Sequence, residues 1–438
     1  MKSKSQLVPR QLLVPFILVT TLFFAWGFAN DITNPMVKAF SKIFRMSVTD
    51  GALVQLAFYG GYFAMAFPAA LFIRKFSYKT GILLGLGLYA TGALLFIPAS
   101  MTGLYYPFLI AYFILTCGLS FLETSSNPYI LTMGDESTAT RRLNLAQAFN
   151  PIGSLLGMFT AMTFIQAKLN PLSTAERAQL SPAEFEAIKA ADLQVLIAPY
   201  VAVGFIVFLL FLIIRFTKMP KNADQDHSLH LGHALKRIFS IARYREGVIA
   251  QFFYVGVQIM CWTFIIQYGT RIFVNQGMAE QEAEVLSQQY NMVAMGIFCV
   301  SRFVCTFLLK YFSPGKLLMS LAIGGGILTL GVIGFQDIWG LYCLVGISAC
   351  MSLMFPTIYG IALQGLGDDA KFGAAGLIMA ILGGSIMPPL QAAIIDCQTV
   401  WGMPAVNISF ILPLICFLVI VCYGYRSYSV HLNKQPNT

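Results

Sequence analysis

Long apolar runs separated by short polar segments recur along the whole 438-residue chain. The runs at 11–30, 51–73 and 195–214 each have the length of roughly 20 residues that a helix needs to cross the hydrocarbon core of a membrane. Because the runs are continuous rather than alternating, helices are favoured over barrel strands. The pattern predicts twelve membrane-spanning helices, at 11–34, 51–73, 81–98, 104–133, 143–166, 194–216, 247–272, 285–309, 316–335, 338–364, 372–396 and 404–425.

The composition favours an all-α membrane protein. The chain is 57% hydrophobic and only 11% charged, with a mean hydropathy of +0.72, and these values lie outside those of soluble domains. The first apolar run has 20 residues and no small-residue cleavage site, so we expect it to remain as the first helix rather than act as a signal peptide. The nine cysteines lie in or beside apolar spans, and we expect them to pack rather than form disulfides.

The longest polar segment predicts a division of the chain into two halves. It separates an N-terminal six-helix bundle, 1–216, from a C-terminal six-helix bundle, 247–438, and forms a cytoplasmic linker, 217–246. Within this linker, Leu235–Phe239 has the basic amphipathic character of a helix that lies on a membrane surface. A linker of this kind is typical of a transporter with two lobes.

An internal repeat supports the same division. Trp26-Gly27-Phe28 matches Trp262-Thr263-Phe264 at a shift of 236, and Gly153-Ser154 matches Gly384-Ser385 at a shift of 231. Transporters built from two parallel six-helix halves bind their substrate between the halves, near the midplane of the membrane. We therefore expect a substrate site of that kind.

The distribution of Lys and Arg predicts the orientation of the chain. With both termini cytoplasmic, the inner segments carry 20 basic residues and the outer loops carry 7, and basic loops stay on the cytoplasmic side. This asymmetry also explains the net charge of +9 without a nucleic-acid partner. We expect a multi-pass protein with both termini in the cytoplasm.

Motifs for catalysis or metal binding do not stand out. His227, His230 and His233 lie in the linker, where a solvated loop is favoured over a metal site. No phosphate-binding glycine loop, nucleophile elbow or zinc motif occurs in context, and no nucleophile, base and orienting group share one helix face. We expect no metal, no cofactor and no enzymatic activity.

Two carboxylates, Asp31 and Glu123, lie inside apolar spans, where an ionised group is costly and is therefore a candidate for function. Asp31 shares a helix face with Asn34, so both could point into a central cavity; alternatively, Asp31 lies near the outer end and meets water. Glu123 is the only charge between Lys79 and Asp135. Because burial disfavours a charged acid, Glu123 could hold a proton and release it when the cavity hydrates. The alternative is an acid that stays protonated and hydrogen-bonded within the bundle.

Amide side chains form a second set of candidates. In the fifth span they make a polar stripe along one helix face, at Asn144, Gln147, Asn150 and Ser154. Such a stripe could bind a polar substrate, or it could join neighbouring helices by hydrogen bonds.

The seventh and eighth spans add further polar and aromatic side chains. Gln258 and Trp262 share a face of the seventh span, which also carries Gln251. An aromatic ring among amides suits a sugar, since the C–H faces of the sugar pack on the ring and its hydroxyls bind the amides. Trp262 could also be ordinary packing or an interface residue. Arg302 could extend its charge toward the cytoplasm or pair at an inner gate.

Four strings in the chain are distinctive: Phe23–Asn30, Leu122–Pro128, Arg142–Asn150 and Tyr254–Trp262. They resemble the L-fucose/proton symporters of the major facilitator superfamily, and the likeness runs through nearly the whole chain. The resemblance implies a twelve-helix fold of two bundles that alternates between outward and inward openings and couples sugar entry to a proton. It also implies that Glu123 takes part in proton and sugar binding, and that Gln147, Asn150 and Trp262 line the sugar pocket.

Two positions depart from the pattern of the fucose permeases. That family has an amide at the position of Asp31 and an acid at the position of Asn34, so acid and amide are exchanged here by one helical turn. Phe355 stands where a tyrosine is expected. Both departures bear on the proton route and on the identity of the sugar.

The sequence therefore predicts a proton-coupled symporter for a monosaccharide in the bacterial cytoplasmic (inner) membrane. L-fucose is the first expectation, and glucose, galactose or another hexose is the second. We expect Glu123 and Asp31 to couple protons. The predicted substrate-binding residues are Asp31, Asn34, Glu123, Gln147, Asn150, Gln258 and Trp262.

Two other classes stay open at this point. A drug/proton antiporter could use the same fold and acids, but its pocket should be chiefly apolar, and a non-transporting sugar sensor would bind sugar without moving it. The expected partners are a monosaccharide, the proton and the lipid bilayer, and we expect the protein to work as a monomer.

Overall fold

The fold is almost entirely helical in the computed structural model, which describes residues 6–33, 36–46, 53–172, 174–220, 231–395, 397, 399–400 and 402–429. The single sheet among these residues is a two-stranded antiparallel pair, β1 (Thr399–Val400) and β2 (Met403–Pro404), with Thr399 opposite Pro404. The predicted all-α class is confirmed.

The described residues form twenty α-helices. Those of the first half are α1 (Leu13–Thr33), α2 (Met36–Phe44), α3 (Leu53–Lys75), α4 (Tyr78–Leu94), α5 (Phe96–Thr102), α6 (Tyr106–Thr132), α7 (Ala139–Gln147), α8 (Asn150–Thr160), α9 (Thr174–Ala178) and α10 (Pro182–Phe216). Those of the second half are α11 (Leu231–Ser240), α12 (Ala242–Asn275), α13 (Glu280–Leu308), α14 (Pro314–Gly334), α15 (Ile338–Met351), α16 (Met354–Leu363), α17 (Ala370–Met379), α18 (Gly383–Ile395), α19 (Ala405–Ile408) and α20 (Ile411–Ser429).

Eleven helical stretches among the described residues are long and apolar enough to cross a membrane. The helix α3, with 23 residues, occupies the place of the second predicted span and completes the series of twelve. The order and number of the predicted spans therefore agree with the helices that form.

The predicted start of the sixth span, at 194, is wrong. The helix α10 begins at Pro182, because the Ser181 hydroxyl accepts from the backbone N–H of Glu184 while the Glu184 carboxylate accepts from the backbone N–H of Ser181. This reciprocal cap fixes the N-terminus. Its polar first turns, which precede the apolar run, belong to one continuous helix of 35 residues.

Five predicted spans are interrupted: the third at Leu95, between α4 and α5, the twelfth at Ser409–Phe410, between α19 and α20, and three others. The fifth span breaks at Ala148–Phe149, between α7 and α8, and the tenth breaks at Ser352–Leu353, between α15 and α16. The eleventh passes through a 3-10 turn at Ala380–Leu382. Interrupted spans free backbone groups within the membrane, and in transporters such breaks commonly lie beside substrate.

The helices form two compact units. The first, here the N-terminal unit, comprises Val8–Met133 and Phe149–Leu229, and the second, the C-terminal unit, comprises Met1–Leu7, Gly134–Ala148 and His230–Thr438. By its contacts, Gly134–Ala148 packs with the C-terminal helices, although it belongs to the first half of the sequence. The domain limits 1–216, 217–246 and 247–438 stay predictions.

The two units share a packing pattern. In the N-terminal unit α1 packs on α8, and both α3 and α4 pack on α6; in the C-terminal unit α12 packs on α18, and both α13 and α14 pack on α15. A Cβ atom at Gly153 would collide with the carbonyl oxygen of Phe24, and one at Gly383 would collide with that of Phe252. The packing therefore pairs Gly153 with Gly383, whereas the sequence repeat pairs Gly153 with Gly384.

Candidate functional site

Glu123 lies in the most deeply buried part of α6. Every residue from Leu115 to Ile130 is buried, and Glu123 is 4% exposed. Its Oε2 atom has no hydrogen-bond partner among the described residues. A buried carboxylate without a partner is very costly, so the protonated acid is the form that suits these surroundings. Oε2 therefore does not fit the alternative of an acid whose hydrogen bonds are satisfied within the bundle.

The backbone of α6 is loosened directly after this acid. Pro128 lies inside the helix and has no N–H to donate to the carbonyl of Thr124. The Asn127 side chain donates from Nδ2 to the carbonyl oxygen of Glu123, four residues earlier in the same helix, at 3.0 Å. The hydroxyls of Thr124 and Ser126 are buried without partners among the described residues. One turn of helix thus holds several polar groups that a ligand or water could satisfy.

A tyrosine lies close to the acid, and a tryptophan lies beside that tyrosine. The Tyr62 hydroxyl of α3 lies within electrostatic range of the Glu123 carboxyl, and the Trp26 indole of α1 lies beside the same hydroxyl. The Ser120 hydroxyl donates to the Tyr62 carbonyl oxygen at 3.1 Å, which joins α6 to α3. The contribution of Tyr62 was missed by sequence reasoning, because its apolar span gave no reason to single out one tyrosine.

Asp31 lies two residues before the end of α1 and is half-buried. Its charge acts on the hydroxyl of Tyr59, which is also half-buried. Asp31 is therefore less enclosed than Glu123. Asn34, the amide one turn further on, lies outside the described residues.

Two residues of the predicted polar stripe join helices. Asn150 donates from Nδ2 to the Phe23 carbonyl oxygen at 3.1 Å, and the Ser154 hydroxyl donates to the Gly27 carbonyl oxygen at 3.4 Å. A Cβ atom at Gly27 would collide with the Asn150 carbonyl, so glycine permits this close approach of α8 and α1. The helix-joining alternative thus applies to both, and half-buried Asn150 keeps its carboxamide oxygen for another partner.

The other two residues of the stripe belong to the C-terminal unit. Asn144 donates from Nδ2 to the Thr357 hydroxyl of α16, at 3.1 Å, and to the Thr140 carbonyl, at 2.9 Å. Gln147 is the last residue of α7 and is 4% exposed. The break after Gln147 therefore divides the predicted stripe, and only its first part packs with the C-terminal helices.

Trp262 of α12 forms an aromatic pair with Phe298 of α13. It is half-buried, its Nε1 donates to the Ser348 hydroxyl at 3.2 Å, and its ring meets the Phe298 ring edge to face at 4.9 Å. Gln258, one turn earlier, is half-buried. Gln251 is fully buried, and neither polar atom of its amide has a partner among the described residues.

Arg302 does not extend toward the aqueous phase, so the expectation of a charge that reaches the cytoplasm is wrong. It is 3% exposed, and its guanidinium donates to two carbonyl oxygens, from Nε to Ser352 at 2.6 Å and from NH1 to Gln147 at 3.1 Å. The interior offers these backbone acceptors at the helix breaks, where Pro151 and Pro356, four residues further on, have no N–H to donate to them.

The described residues contain no group of three His, Cys, Asp or Glu side chains that could hold a metal ion. His227 and His230 lie outside them, as does the side chain of His233. All nine cysteines are unpaired, as the sequence predicts.

Known proteins resemble this chain over nearly its full length. A family model described as Major Facilitator Superfamily matches residues 17–388. The L-fucose-proton symporter of Haemophilus influenzae is 52% identical over 432 residues, which cover 97% of this chain and 99% of that protein. A glucose/galactose transporter of Brucella abortus is 30% identical over 409 residues, covering 93% and 92%. A crystal structure of the E. coli fucose:proton symporter, FucP, superposes with a TM-score of 0.86 and 33% identity, covering 95% of this chain and 99% of that one.

Proposed function

This chain belongs to the Major Facilitator Superfamily and, within it, to the L-fucose/proton symporters, and from that premise we propose that it imports L-fucose together with a proton. It is a membrane transporter and not an enzyme. The observation that carries the proposal is the Glu123 carboxyl, which is buried in the motif shared with this family and has an oxygen without a partner in the described part of the chain.

The surroundings of Glu123 support a proton role. An acid that is neutral when enclosed and ionises when water or a sugar hydroxyl reaches it can take up and release one proton in each cycle. A proton moving down a potential of about 100 mV contributes about 2.3 kcal/mol, enough for roughly fifty-fold accumulation of sugar. We propose Asp31 as the second coupling acid, because its charge acts on Tyr59 in a less enclosed place.

We propose that the sugar contacts are those the sequence predicts: Asp31, Asn34, Glu123, Gln147, Asn150, Gln258 and Trp262. Half-buried Trp262 offers an anchored ring for the C–H face of a sugar. Asn150 would bind through its oxygen, since one of its N–H groups already joins α8 to α1.

A glucose/galactose transporter is the second candidate. It is favoured by the exchange of acid and amide at Asp31 and Asn34, by Phe355 in the place of a tyrosine, and by the relative from Brucella abortus. We further propose that the protein works as a monomer in the bacterial inner membrane with both termini cytoplasmic.

Uptake into proteoliposomes with an imposed inward proton gradient tests the proposal. Radiolabelled L-fucose, D-galactose and D-glucose are compared, with a protonophore as the control that removes the driving force. We expect L-fucose to accumulate above equilibrium and to be the preferred sugar. Preference for galactose or glucose would establish the second candidate, and binding without uptake would indicate a sensor.

A further inference from the structure

Arg302 binds the ends of two interrupted spans. Two of its acceptors are the carbonyl of Gln147, which ends α7, and the carbonyl of Ser352, which directly follows α15. The last carbonyls of a helix have no partner within the helix and carry the negative end of its dipole. One guanidinium therefore neutralises two helix ends through charge-assisted hydrogen bonds of good length.

The same guanidinium also contacts the aromatic pair of Phe298 and Trp262. It lies over the Phe298 ring, one turn earlier on α13, at 4.6 Å from the ring centroid, a distance typical of a cation–π contact. Phe298 in turn meets Trp262 edge to face, and the indole Nε1 of Trp262 donates to the Ser348 hydroxyl. Arg302 thus contacts Gln147 directly and is linked to Trp262 through Phe298.

We propose that Arg302 is a positioning residue for the sugar site, which sets Gln147 through its carbonyl and Trp262 through Phe298. Both of those residues lie in the C-terminal unit with Arg302. The inference rests on the proposed function, in which Gln147 and Trp262 contact the sugar. Arginine suits this role because its planar fork binds two acceptors and stacks on a ring at the same time, which a lysine ammonium does not do.

Kinetics of sugar uptake test the proposal with Arg302→Lys, Arg302→Met and Phe298→Leu. Loss of one charge-assisted hydrogen bond predicts a KM raised roughly tenfold in Arg302→Lys, while Vmax per folded transporter stays within about twofold. We expect a larger rise in Arg302→Met. Phe298→Leu should raise KM in the same direction, and Phe298→Tyr, which keeps the ring, should restore it. The control is Arg426→Lys, whose exposed pair with Glu246 lies on the surface.

Two outcomes would overturn the positioning role. One is an unchanged KM in all three variants, and the other is a KM that stays constant while Vmax falls with the amount of folded protein, as a purely structural role requires.

A second measurement needs no sugar. In a background with Trp26, Trp339 and Trp401 replaced by phenylalanine, the emission reports on Trp262 alone. We expect Arg302→Met and Phe298→Leu to shift this emission to the red and to increase its quenching by acrylamide, and Arg426→Lys to leave both unchanged. Unaltered emission in the first two variants would contradict the proposal. If L-fucose is not transported by the wild type, the proposed function fails while this measurement still decides the placement of Trp262.

Discussion

At the scale of single residues, the surroundings of Glu123 distinguish a coupling acid from an ordinary buried one. An acid that serves structure alone should have its oxygens hydrogen-bonded. A buried polar group without a partner costs about 1–3 kcal/mol of stability, and a charged group costs more. Oε2 has no such partner in the part of the chain that the structure describes, although Tyr62 lies close by. The cost is reasonable if the proton and the sugar supply the missing interactions during transport.

Glu123→Gln should therefore abolish uphill sugar uptake, since the amide cannot carry a proton, and the accumulation ratio should fall to about one. Counterflow exchange, which needs no net proton movement, should persist. Both are measured in proteoliposomes with and without a pH gradient. Glu186→Gln, at an exposed acid that pairs with Lys189, is the matched control and should behave as wild type. Accumulation that survives in Glu123→Gln would rule out this acid as the coupling group.

The exchange of acid and amide at Asp31 and Asn34 gives a second prediction. Asp31→Asn should reduce proton-driven transport at least tenfold if Asp31 has taken over the role of the family's second acid. The double variant Asp31→Asn with Asn34→Asp restores the family pattern and should recover uptake in the same assay. A silent Asp31→Asn would restrict coupling to Glu123, and no recovery in the double variant would show that the position of the acid matters.

The sequence predicts which residues are buried polar groups better than it predicts their partners. Glu123 could be placed deep in the membrane because no other charge lies near it in the chain. The partners Ser348 and Thr357 could not be predicted, because each lies more than eighty residues from the side chain it binds. Their apolar spans show no special pattern around them.

At the scale of helices, close packing through glycine is a shared device of both units. Gly153→Ala should destabilise the N-terminal unit, because the new methyl group meets the Phe24 carbonyl, part of the backbone, and cannot be accommodated by a change of rotamer. Overpacking of this kind costs about 1–3 kcal/mol, and occasionally more. Thermal unfolding in detergent should show a lower midpoint. Gly87→Ala is the control in the same unit, since its Cβ would meet nothing within 4 Å, and an equal effect of both substitutions would argue against a steric cause.

The segment before α10 depends on a buried ion pair. The Arg177 and Asp192 side chains are 0% and 3% exposed, with NH2 at 2.6 Å from Oδ2, and the other carboxylate oxygen accepts from the backbone N–H of Asn170 at 2.8 Å. Lys42 of α2 donates to the Asn170 carbonyl at 2.5 Å. These contacts tie the connection between α8 and α10 to two helices, so it has a fixed place in the fold.

Asp192→Ala should therefore cost about 3–5 kcal/mol, because it leaves the buried Arg177 charge without its partner. The double variant with Arg177→Met should recover much of that loss, since it removes the stranded charge. Unfolding midpoints of the two variants decide the matter. Equal destabilisation of the single and double variants would show that the cost comes from lost packing and not from the charge.

The ends of helices follow capping chemistry more closely than hydropathy. The start of α10 is set by Ser181 and Glu184, whereas the apolar run begins only at about 194. The sequence contains this cap, but hydropathy alone places the first residue of the span where the apolar run begins. The breaks at Ala148–Phe149 and Ser352–Leu353 precede prolines, whose missing N–H groups leave the carbonyls of Gln147 and Ser352 free to bind Arg302; that this arginine is the partner could not be predicted.

At the scale of the whole molecule, the number and order of spans were predictable because lipid requires each crossing segment to satisfy its own backbone. The grouping of the helices was not. Gly134–Ala148 joins the C-terminal unit through contacts such as Asn144 with Thr357, and a Cβ at Gly360 would press on Thr140. These contacts cross more than two hundred residues of sequence, so only the folded chain reveals them.

Orientation in the membrane follows from the distribution of charge over the whole chain. With twelve spans both termini lie on one side, and from the excess of 20 basic residues over 7 we propose that this side is the cytoplasm. Two exposed positions report on this arrangement: Ala183, at the start of α10, and Ser240, at the end of α11. In a variant without native cysteines, a membrane-impermeant maleimide should label Ala183→Cys in intact cells and should label Ser240→Cys only after the cells are opened. The reverse pattern would require the whole chain to be inverted, and labelling of both in intact cells would require an even number of crossings between them.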